Sequence, residues 1–314
     1  VSPLTSRPYA GEDDLNLLIE FARQAAIARR PRAAYWYPGD IVWQAFTPNF
    51  DPRTHIQLWF DDTGLAAHAW FEPPLNVEFD VRNDLREVET LAGEILDWAE
   101  GRRVAALKPA ENVPKAYSML GEGTLATSAL ESDPARVAML ERRGYVKNDR
   151  HNICYSLGLE EPLPEPLLPP GATLRYASEA DLDERIELHR DAWSVWGPSG
   201  QNVADYRRLR AAPLYNETLD VVLELDGRLV AYCICWADPA SGIGNFEPAG
   251  VRPGLTGRGL GRAVIFEGLR RLRQRGLHTA CVGTASVNER AMALYESCGF
   301  GLIDKGWYYT KAMH

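Results

Sequence analysis

The chain has 314 residues and a mass of 35.0 kDa, enough for two domains that each bury their own core. Its formal charge of -9 and pI near 5.3 argue against a nucleic-acid binder, whose footprint is basic, and no apolar run reaches the length of a membrane span. The five cysteines (154, 233, 235, 281, 298) form no C-x-x-C, so buried thiols are expected rather than a disulfide framework or a metal site; no signal peptide is recognised, and the expected compartment is the cytoplasm.

In chain order, RPYAGEDDLNLLIEFAR (7 to 23) reads as a helix and IQLWFDDTGLAAHAWF (56 to 71) as strand, turn and strand. The strand NVEFDV follows, then the helices REVETLAGEILDWAEG and ARVAMLERRGYVK. GLEEPLPEPLLPPGA (158 to 172), with five prolines, three glutamates and no periodicity, is an extended connector. Beyond it the pattern restarts. RYASEADLDERIELHR (175 to 190) repeats the opening helix: with a shift of 167, Asp14, Leu15, Ile19, Glu20 and Arg23 fall on Asp181, Leu182, Ile186, Glu187 and Arg190.

After the helical region DAWSVWGPSGQNVADYRRL, the strands TLDVVLEL and RLVAYCICW are joined by Asp226-Gly227, a two-residue type I′ hairpin turn. IGNFEPAGV (243 to 251) is a third strand. RAVIFEGLRRLRQRG carries Val264, Ile265, Leu269 and Leu272 at helical spacing and ends at Gly276 as a C-terminal cap. The strand TACVG, the helix NERAMALYESCGF and the closing stretch WYYTKAM complete the order β-β-β, loop, α-β-α-β. The basic runs RRLRQRG and ARRPR read as solvated faces, with attraction of an anionic cofactor as the sharper alternative for the first.

Between the third strand and its helix lies GVRPGLTGRGLGRAV, with Gly254, Gly257, Gly259 and Gly261 within eight positions. Glycine at this density serves positive φ or close approach to the backbone, and a helix start offers free N–H groups and a partial positive charge to an anion. The spacing does not fit the triphosphate loop, because Leu260 and Gly261 stand where Lys and Ser or Thr belong. Nor does it fit the dinucleotide fingerprint, because Arg262 stands where a third glycine belongs. What remains is a diphosphate cradle without a metal.

GVRPGLTGRGLGRAV followed by NERAMALYESCGF resembles the GCN5-related N-acetyltransferase (GNAT) family. Gly259 and Gly261 match the glycines of its acetyl-CoA loop; Asn288, Ala291, Tyr295, Gly299 and Phe300 match its later helix. Thr256 departs from the family's Arg or Gln, which touches a side-chain contact rather than the backbone cradle. With the repeat, the resemblance implies an α/β (α+β) fold of two tandem GNAT-like domains, each a mixed, mostly antiparallel sheet flanked by helices, an arrangement also found in mycothiol synthases. The expected boundaries are 1–158, a Pro-rich linker at 159–172, and 173–314. In the first copy the loop's place is taken by RNDLREVE, without glycine and with Asp84, Glu87 and Glu89 near the helix start, and Leu140 stands where the second copy has Tyr295. This copy is therefore expected to be degenerate, unable to hold the cofactor, and to support the second or wall its substrate cleft.

The resemblance implies an acetyl-CoA-dependent N-acetyltransferase acting by direct attack of a primary amine, with acetyl-CoA as cosubstrate and no metal. The cofactor contacts it implies are Ala249, Gly250, Val251, Thr256, Gly257, Arg258, Gly259, Leu260, Gly261, Arg262 and Asn288, with a backbone N–H at a strand distortion around Gly250 and Val251 polarising the carbonyl. An alkyl ammonium near pKa 10.4 must lose a proton before attack. Glu247 is the only carboxylate on the third strand and shares a face with Asn245, where many family members carry the base; either Glu247 is the base with Asn245 holding a water, or it is a solvated strand-end carboxylate. Tyr295 is implied to protonate the leaving thiolate. The acceptor, a small-molecule or peptide amine, is expected against Trp193, Trp196, Tyr206, Trp307 and Tyr308, with Asp191 or Glu217 attracting its charge. No nucleic-acid or membrane partner is expected, and the chain is expected as monomer or homodimer. Two alternatives remain: a non-catalytic acyl-CoA-binding or sensing module, which needs neither Tyr295 nor Glu247, and an aminoacyl transferase using charged tRNA, which lacks the diphosphate loop and is more basic.

Overall fold

The computed structural model of the chain describes residues 4–48, 50–85, 89–105 and 123–313. The first half runs β1 (Thr5–Pro8), α1 (Glu12–Arg29), α2 (Pro38–Ala45), α3 (Pro52–His55), β2 (Ile56–Asp61), β3 (Gly64–Glu72), β4 (Asn76–Val81), α4 (Glu89–Ala105), β5 (Thr124–Leu130), α5 (Pro134–Arg142) and β6 (Val146–Gly158). The second repeats the scheme with β7 (Ala172–Tyr176), α6 (Leu182–Trp193), α7 (Val203–Arg210), β8 (Asp220–Leu225), β9 (Arg228–Asp238), β10 (Ile243–Val251), α8 (Leu260–Gln274), β11 (Thr279–Ala285), α9 (Glu289–Ser297) and β12 (Gly301–Ala312).

The local signals act where the residues place them. Asp226 and Gly227 both have positive φ, as the type I′ hairpin turn requires. Gly276, at φ 76, lies just beyond α8, where the Leu277 N–H reaches back to the Leu272 carbonyl at 3.3 Å. The repeat is also local: Arg7 forks onto Asp14 at 2.6 Å and Arg175 onto Asp181 at 2.6 and 2.8 Å. Each carboxylate also accepts an upstream N–H at 2.7 Å, from Ala10 and from Ser178. The same three-group knot of guanidinium, carboxylate and upstream N–H therefore opens both halves.

The strands form one 12-stranded sheet in the order β1-β2-β3-β4-β5-β12-β6-β11-β10-β9-β8-β7. Its middle records an exchange. β6, the last strand of the first half, lies antiparallel to β11 of the second, and β12, the last strand of the second half, lies antiparallel to β5 of the first. The two exchanged strands also pair with each other, so the sheet crosses the expected boundary without an edge that a further strand could join.

β9 shows how its alternation divides the two faces. Cys233 and Cys235 enter a core with Leu260, Val264, Ile265 and Leu269 of α8, whereas Ile234 and Trp236 enter a core on the other face. That second core joins Leu15, Leu18, Ile41 and Val42 of the first half to Leu182, Ile186, Tyr206 and Leu209 of the second. The halves thus share side-chain packing as well as strands. Residues 159–171 run without helix or strand and are tied to α8, where Arg273 Nε donates to the Leu159 carbonyl at 3.0 Å and Arg270 pairs with Glu165. Arg271 pairs with Glu267 and Arg275 bonds Thr218, so the basic run of α8 is engaged in structural contacts. All five cysteines are free. No helix among the described residues is long and apolar enough to cross a membrane, and no group of three His, Cys, Asp or Glu among them could hold a metal ion.

Candidate active site

The glycine loop joins β10 to α8. Gly254, Gly257 and Gly259 have φ of 80, 81 and 79°, where a side chain is strained, and a Cβ at any of them meets nothing within 4 Å. The loop backbone therefore faces open space. Thr256, Gly257, Arg258 and Gly259 are exposed. Gly259 caps α8, its carbonyl accepting the Ala263 N–H at 2.9 Å, so the N–H groups of Leu260, Gly261 and Arg262 begin the helix without an intrahelical acceptor. This is the geometry of an anion cradle at the positive end of a 15-residue helix. The Leu260 side chain is 1% exposed and belongs to the core, so only its N–H is available to a ligand. Gly261 answers to packing: a Cβ there lies 3.2 Å from Leu294 and 3.3 Å from Val251. Arg262 is exposed, with its guanidinium 5.1 Å from the Phe266 ring centroid.

β10 supplies the second element. It pairs with β11 in parallel only from Ile243 to Asn245, after which the two strands part. On its other edge it follows β9 throughout, except for a register shift between Phe246 and Ala249. The sequence placed the distortion at Gly250 and Val251. It lies earlier, at Glu247 and Pro248, because proline cannot donate to the ladder, while Ala249, Gly250 and Val251 pair regularly with Cys233, Tyr232 and Ala231. The Arg252 N–H donates to the Val230 carbonyl on β9 at 2.9 Å. By antiparallel alternation the N–H groups of Val251 and Ala249 point to the opposite edge, into the gap left by β11. Gly250 is required by close approach, since a Cβ there lies 2.7 Å from Ala192 of α6 and 2.8 Å from the Tyr232 ring.

Glu247 and Asn245 lie on this strand, and a group from the first half meets them. The N-terminus of α2 presses on β9 and β10 so closely that a Cβ on Gly39 sits 2.3 Å from Trp236 and 2.5 Å from Asn245 Oδ1. The next residue, Asp40, accepts a hydrogen bond from Asn245 Nδ2 at 2.7 Å and from the Tyr37 N–H at 2.9 Å. Burial pushes the Asp40 carboxyl up to about 7. Part of Glu247 reaches the surface, yet its carboxyl is crowded enough that burial, reinforced by the charge of Asp40, pushes it up to about 8. Trp236 Nε1 donates to the Glu247 carbonyl at 2.7 Å and steadies the distorted strand.

Tyr295, on α9, is 7% exposed and packs its ring 5.9 Å from Phe300 and 6.2 Å from Tyr155. Burial raises its phenol, and the charge of Glu247 adds to the rise, which sets the two groups in one neighbourhood. Asn288 caps α9, its Oδ1 accepting the Ala291 N–H at 3.2 Å.

Other expectations are redistributed by the exchange. Trp307 and Tyr308 pair with Ala129 and Ser128 of β5 in the first half, away from Glu247's strand. Tyr206 is core, its hydroxyl bonded to Asp220. Asp191 is paired with Arg252, and Glu217 lies 3.7 Å from Arg210; the carboxylate bonded to Asn245 is Asp40, whose charge acts on Glu247. Sequence reasoning missed Asp40, because a residue 205 positions upstream of Asn245 carries no local signal for this contact.

The first half keeps the outline of the same cleft. β4 and β5 are paired only at Asn76 and Ala126 before parting, and Asn76 and Glu78 repeat the Asn-x-Glu of Asn245 and Glu247. The gap is filled. Arg136 of α5, 6% exposed, donates to the Phe79 carbonyl at 2.7 Å and lies 3.5 Å from the Phe79 ring centroid and 4.1 Å from that of Tyr35. At the loop's place Arg82 pairs with Asp61 and Asp84, and Glu89 with Arg142; Glu87 lies outside the described residues.

Residues 182–300 match the acetyltransferase (GNAT) family. A mycothiol acetyltransferase of Frankia alni is 31% identical over 204 residues, covering 56% of this chain and 61% of the relative. One of Salinispora tropica is 37% identical over 152 residues, covering 45% and 48%. The chain thus spans about half to three-fifths of the length of these curated relatives. Two solved structures share the whole architecture: a GCN5-related N-acetyltransferase from Sphaerobacter thermophilus, with TM-score 0.67, 18% identity and coverage of 100% of this chain and 98% of that one, and a tandem GNAT protein from the clavulanic acid biosynthesis pathway, with TM-score 0.65, 16% identity and 99% of both.

Proposed function

Because residues 182–300 of this chain belong to the acetyltransferase (GNAT) family and the whole chain has the tandem GNAT fold, we propose that the protein is an acetyl-CoA-dependent N-acetyltransferase whose one active centre lies in the second half. The supporting observation is a single convergence: the cradle at the α8 N-terminus, the gap between β10 and β11, and Glu247 and Tyr295 beside that gap. The loop N–H groups from Gly257 to Arg262 hold the diphosphate, and the Val251 N–H, aimed into the gap, polarises the thioester carbonyl. Ala249, Gly250 and Asn288 line the arm's path, with Thr256, Arg258 and Arg262 at the cradle's outer rim.

Glu247 accepts a proton from the amine as its nitrogen bonds to the carbonyl carbon, and Asn245 keeps the strand face polar. A carboxyl pushed up to about 8 is a stronger base than an ordinary carboxylate, and the ionised fraction that accepts the proton grows as pH rises toward 8. As the carbon–sulfur bond breaks, Tyr295 gives its proton to the sulfur and recovers one from solvent. The products are the acetylated amine and the free thiol. The acceptor is a small-molecule amine, in keeping with relatives named mycothiol acetyltransferases. The first half, 1–158, is a degenerate copy whose cleft is stopped by Arg136, followed by the linker 159–172 and the working domain 173–314. Calorimetric titration with acetyl-CoA, followed by thiol release across a panel of amines, tests the reading. Binding without transfer to any amine would instead favour an acyl-CoA-binding module.

A further inference from the structure

The acyl-transfer reading uses nothing of the first half's own cleft, yet polar side chains are gathered there. Asn76 and Glu78 lie by alternation on the face of β4 opposite Val77 and Phe79, which pack under α4. We propose that this face is a second binding site, for a small hydroxylated primary ammonium ion, formed by Glu72, Asn76, Glu78, Ser128 and Tyr308. Asn76 is 1% exposed; its Nδ2 donates to Glu72 Oε2 at 3.1 Å and lies 3.5 Å from Glu78 Oε1. The two carboxylates fix the amide, because turning it would set its oxygen against theirs. Its Oδ1 is thereby buried with no donor among the described residues. A buried acceptor left unmatched is costly, and the N–H of a ligand removes that cost.

The surrounding groups specify the ligand. Ser128 Oγ donates to Glu78 Oε2 at 2.7 Å, and Tyr308, paired with Ser128 across β5 and β12, accepts Asn152 Nδ2 at 3.2 Å, which leaves its own O–H to donate. Burial raises the Tyr308 phenol and the charges of Glu78 and Glu72 add to the rise, so the three groups share one neighbourhood. Burial pushes the Glu78 carboxyl up to about 7, with the charge of Arg136 opposing and that of Glu72 adding. Arg136 reaches this side as a charge: its terminal nitrogens donate to the Phe79 carbonyl at 2.7 Å and the Thr127 hydroxyl at 3.4 Å rather than to either carboxylate. An ammonium ion brings the missing N–H donors and a positive charge for the carboxylate pair, while its hydroxyls can meet Tyr308 and Glu78. Glu72 and Glu78 are part-exposed, so the site opens to solvent. With Arg136 in the β4–β5 gap and acidic side chains in the adjoining turn, the ion is bound away from any thioester.

The test uses the full chain with carbon-13-labelled tyrosine rings, without acetyl-CoA, and reads the Tyr308 signal, assigned by its loss in Tyr308→Phe. The probes are 2-amino-1,3-propanediol, an ammonium ion at pH 7, and glycerol, which has the same skeleton with a hydroxyl in place of the amine. The amine is expected to shift the signal saturably, with an affinity at least about ten-fold above that of glycerol. Glu78→Gln and Glu72→Gln are each expected to weaken the amine by about five-fold or more and to leave glycerol nearly unchanged. A signal that does not move with the amine, that answers equally to glycerol, or that titrates alike in the parent and both variants overturns the proposal. The amine-over-glycerol preference of the parent decides it even where a variant does not fold. Acetyl-CoA calorimetry is independent of this result: a parent that does not bind acetyl-CoA overturns the acyl-transfer reading, and equal binding in parent and variants shows that the fold is intact.

Discussion

At the scale of the residue, Tyr295 and Glu247 make separable demands. The Tyr295 ring is held by Phe300 and Tyr155, so Tyr295→Phe removes the hydroxyl and leaves the packing. If that hydroxyl protonates the departing sulfur, kcat falls about 10- to 1000-fold while acetyl-CoA affinity is unchanged; stopped-flow thiol release and calorimetry on the same variant check both halves of this statement. Glu247 can be followed through stability. Burial and the charge of Asp40 push its carboxyl up to about 8 in the folded chain, against about 4.3 when unfolded. The folded state holds the extra proton between those values, so this contribution is full below about pH 4 and is lost as pH rises through about 8. Melting curves of Glu247→Gln should therefore show a smaller fall in Tm from about pH 5 to pH 9 than those of the parent. Curves that run parallel would mean the carboxyl is not held protonated.

At the scale of the element, the loop combines two requirements that look alike in sequence. Gly257 and Gly259 are needed for positive φ, whereas Gly261 is needed so that α8 can lie against Leu294 and Val251. Gly261→Glu places bulk and negative charge at the helix start; acetyl-CoA affinity should fall at least about 100-fold, with a stability loss of about 1 to 3 kcal/mol from overpacking. Denaturant unfolding and calorimetry together separate the two effects. On the other side of the pseudo-symmetric sheet, Arg136 occupies the gap between β4 and β5 as a structural plug. Arg136→Ala leaves the Phe79 carbonyl without its donor and opens a void. It should cost about 2 to 4 kcal/mol and create no second acetyl-CoA site, because the adjoining turn has acidic side chains and no glycine.

At the scale of the whole molecule, the strand exchange makes the two halves inseparable without unfolding. β6 lies between β12 and β11, and β12 between β5 and β6. A protease site introduced between Leu167 and Leu168, both exposed, should give two fragments that elute together on gel filtration and retain acetyl-CoA binding at one site per chain. Fragments that separate in native buffer would contradict the exchanged topology. The helical face has the same consequence, since Ile41 and Val42 of α2 share a core with Ile186 and Ile234.

Much of this was legible in the residues themselves, because the relevant signals are local. The type I′ turn at Asp226-Gly227, the span of β10, the glycine loop and the repeat that aligns Asp14 with Asp181 each depend on neighbours a few positions apart, where backbone sterics and short hydrogen bonds decide the conformation. What only the tertiary structure decided are contacts between distant segments. Periodicity marks WYYTKAM as a strand but cannot say that it pairs with β5 rather than inside its own half, because either neighbour satisfies the same N–H and C=O groups. Likewise Asp40 in PGD is a helix-start residue to any local reading. It meets the second half only because a shared core draws α2 over β9 and β10 and brings its carboxylate to Asn245.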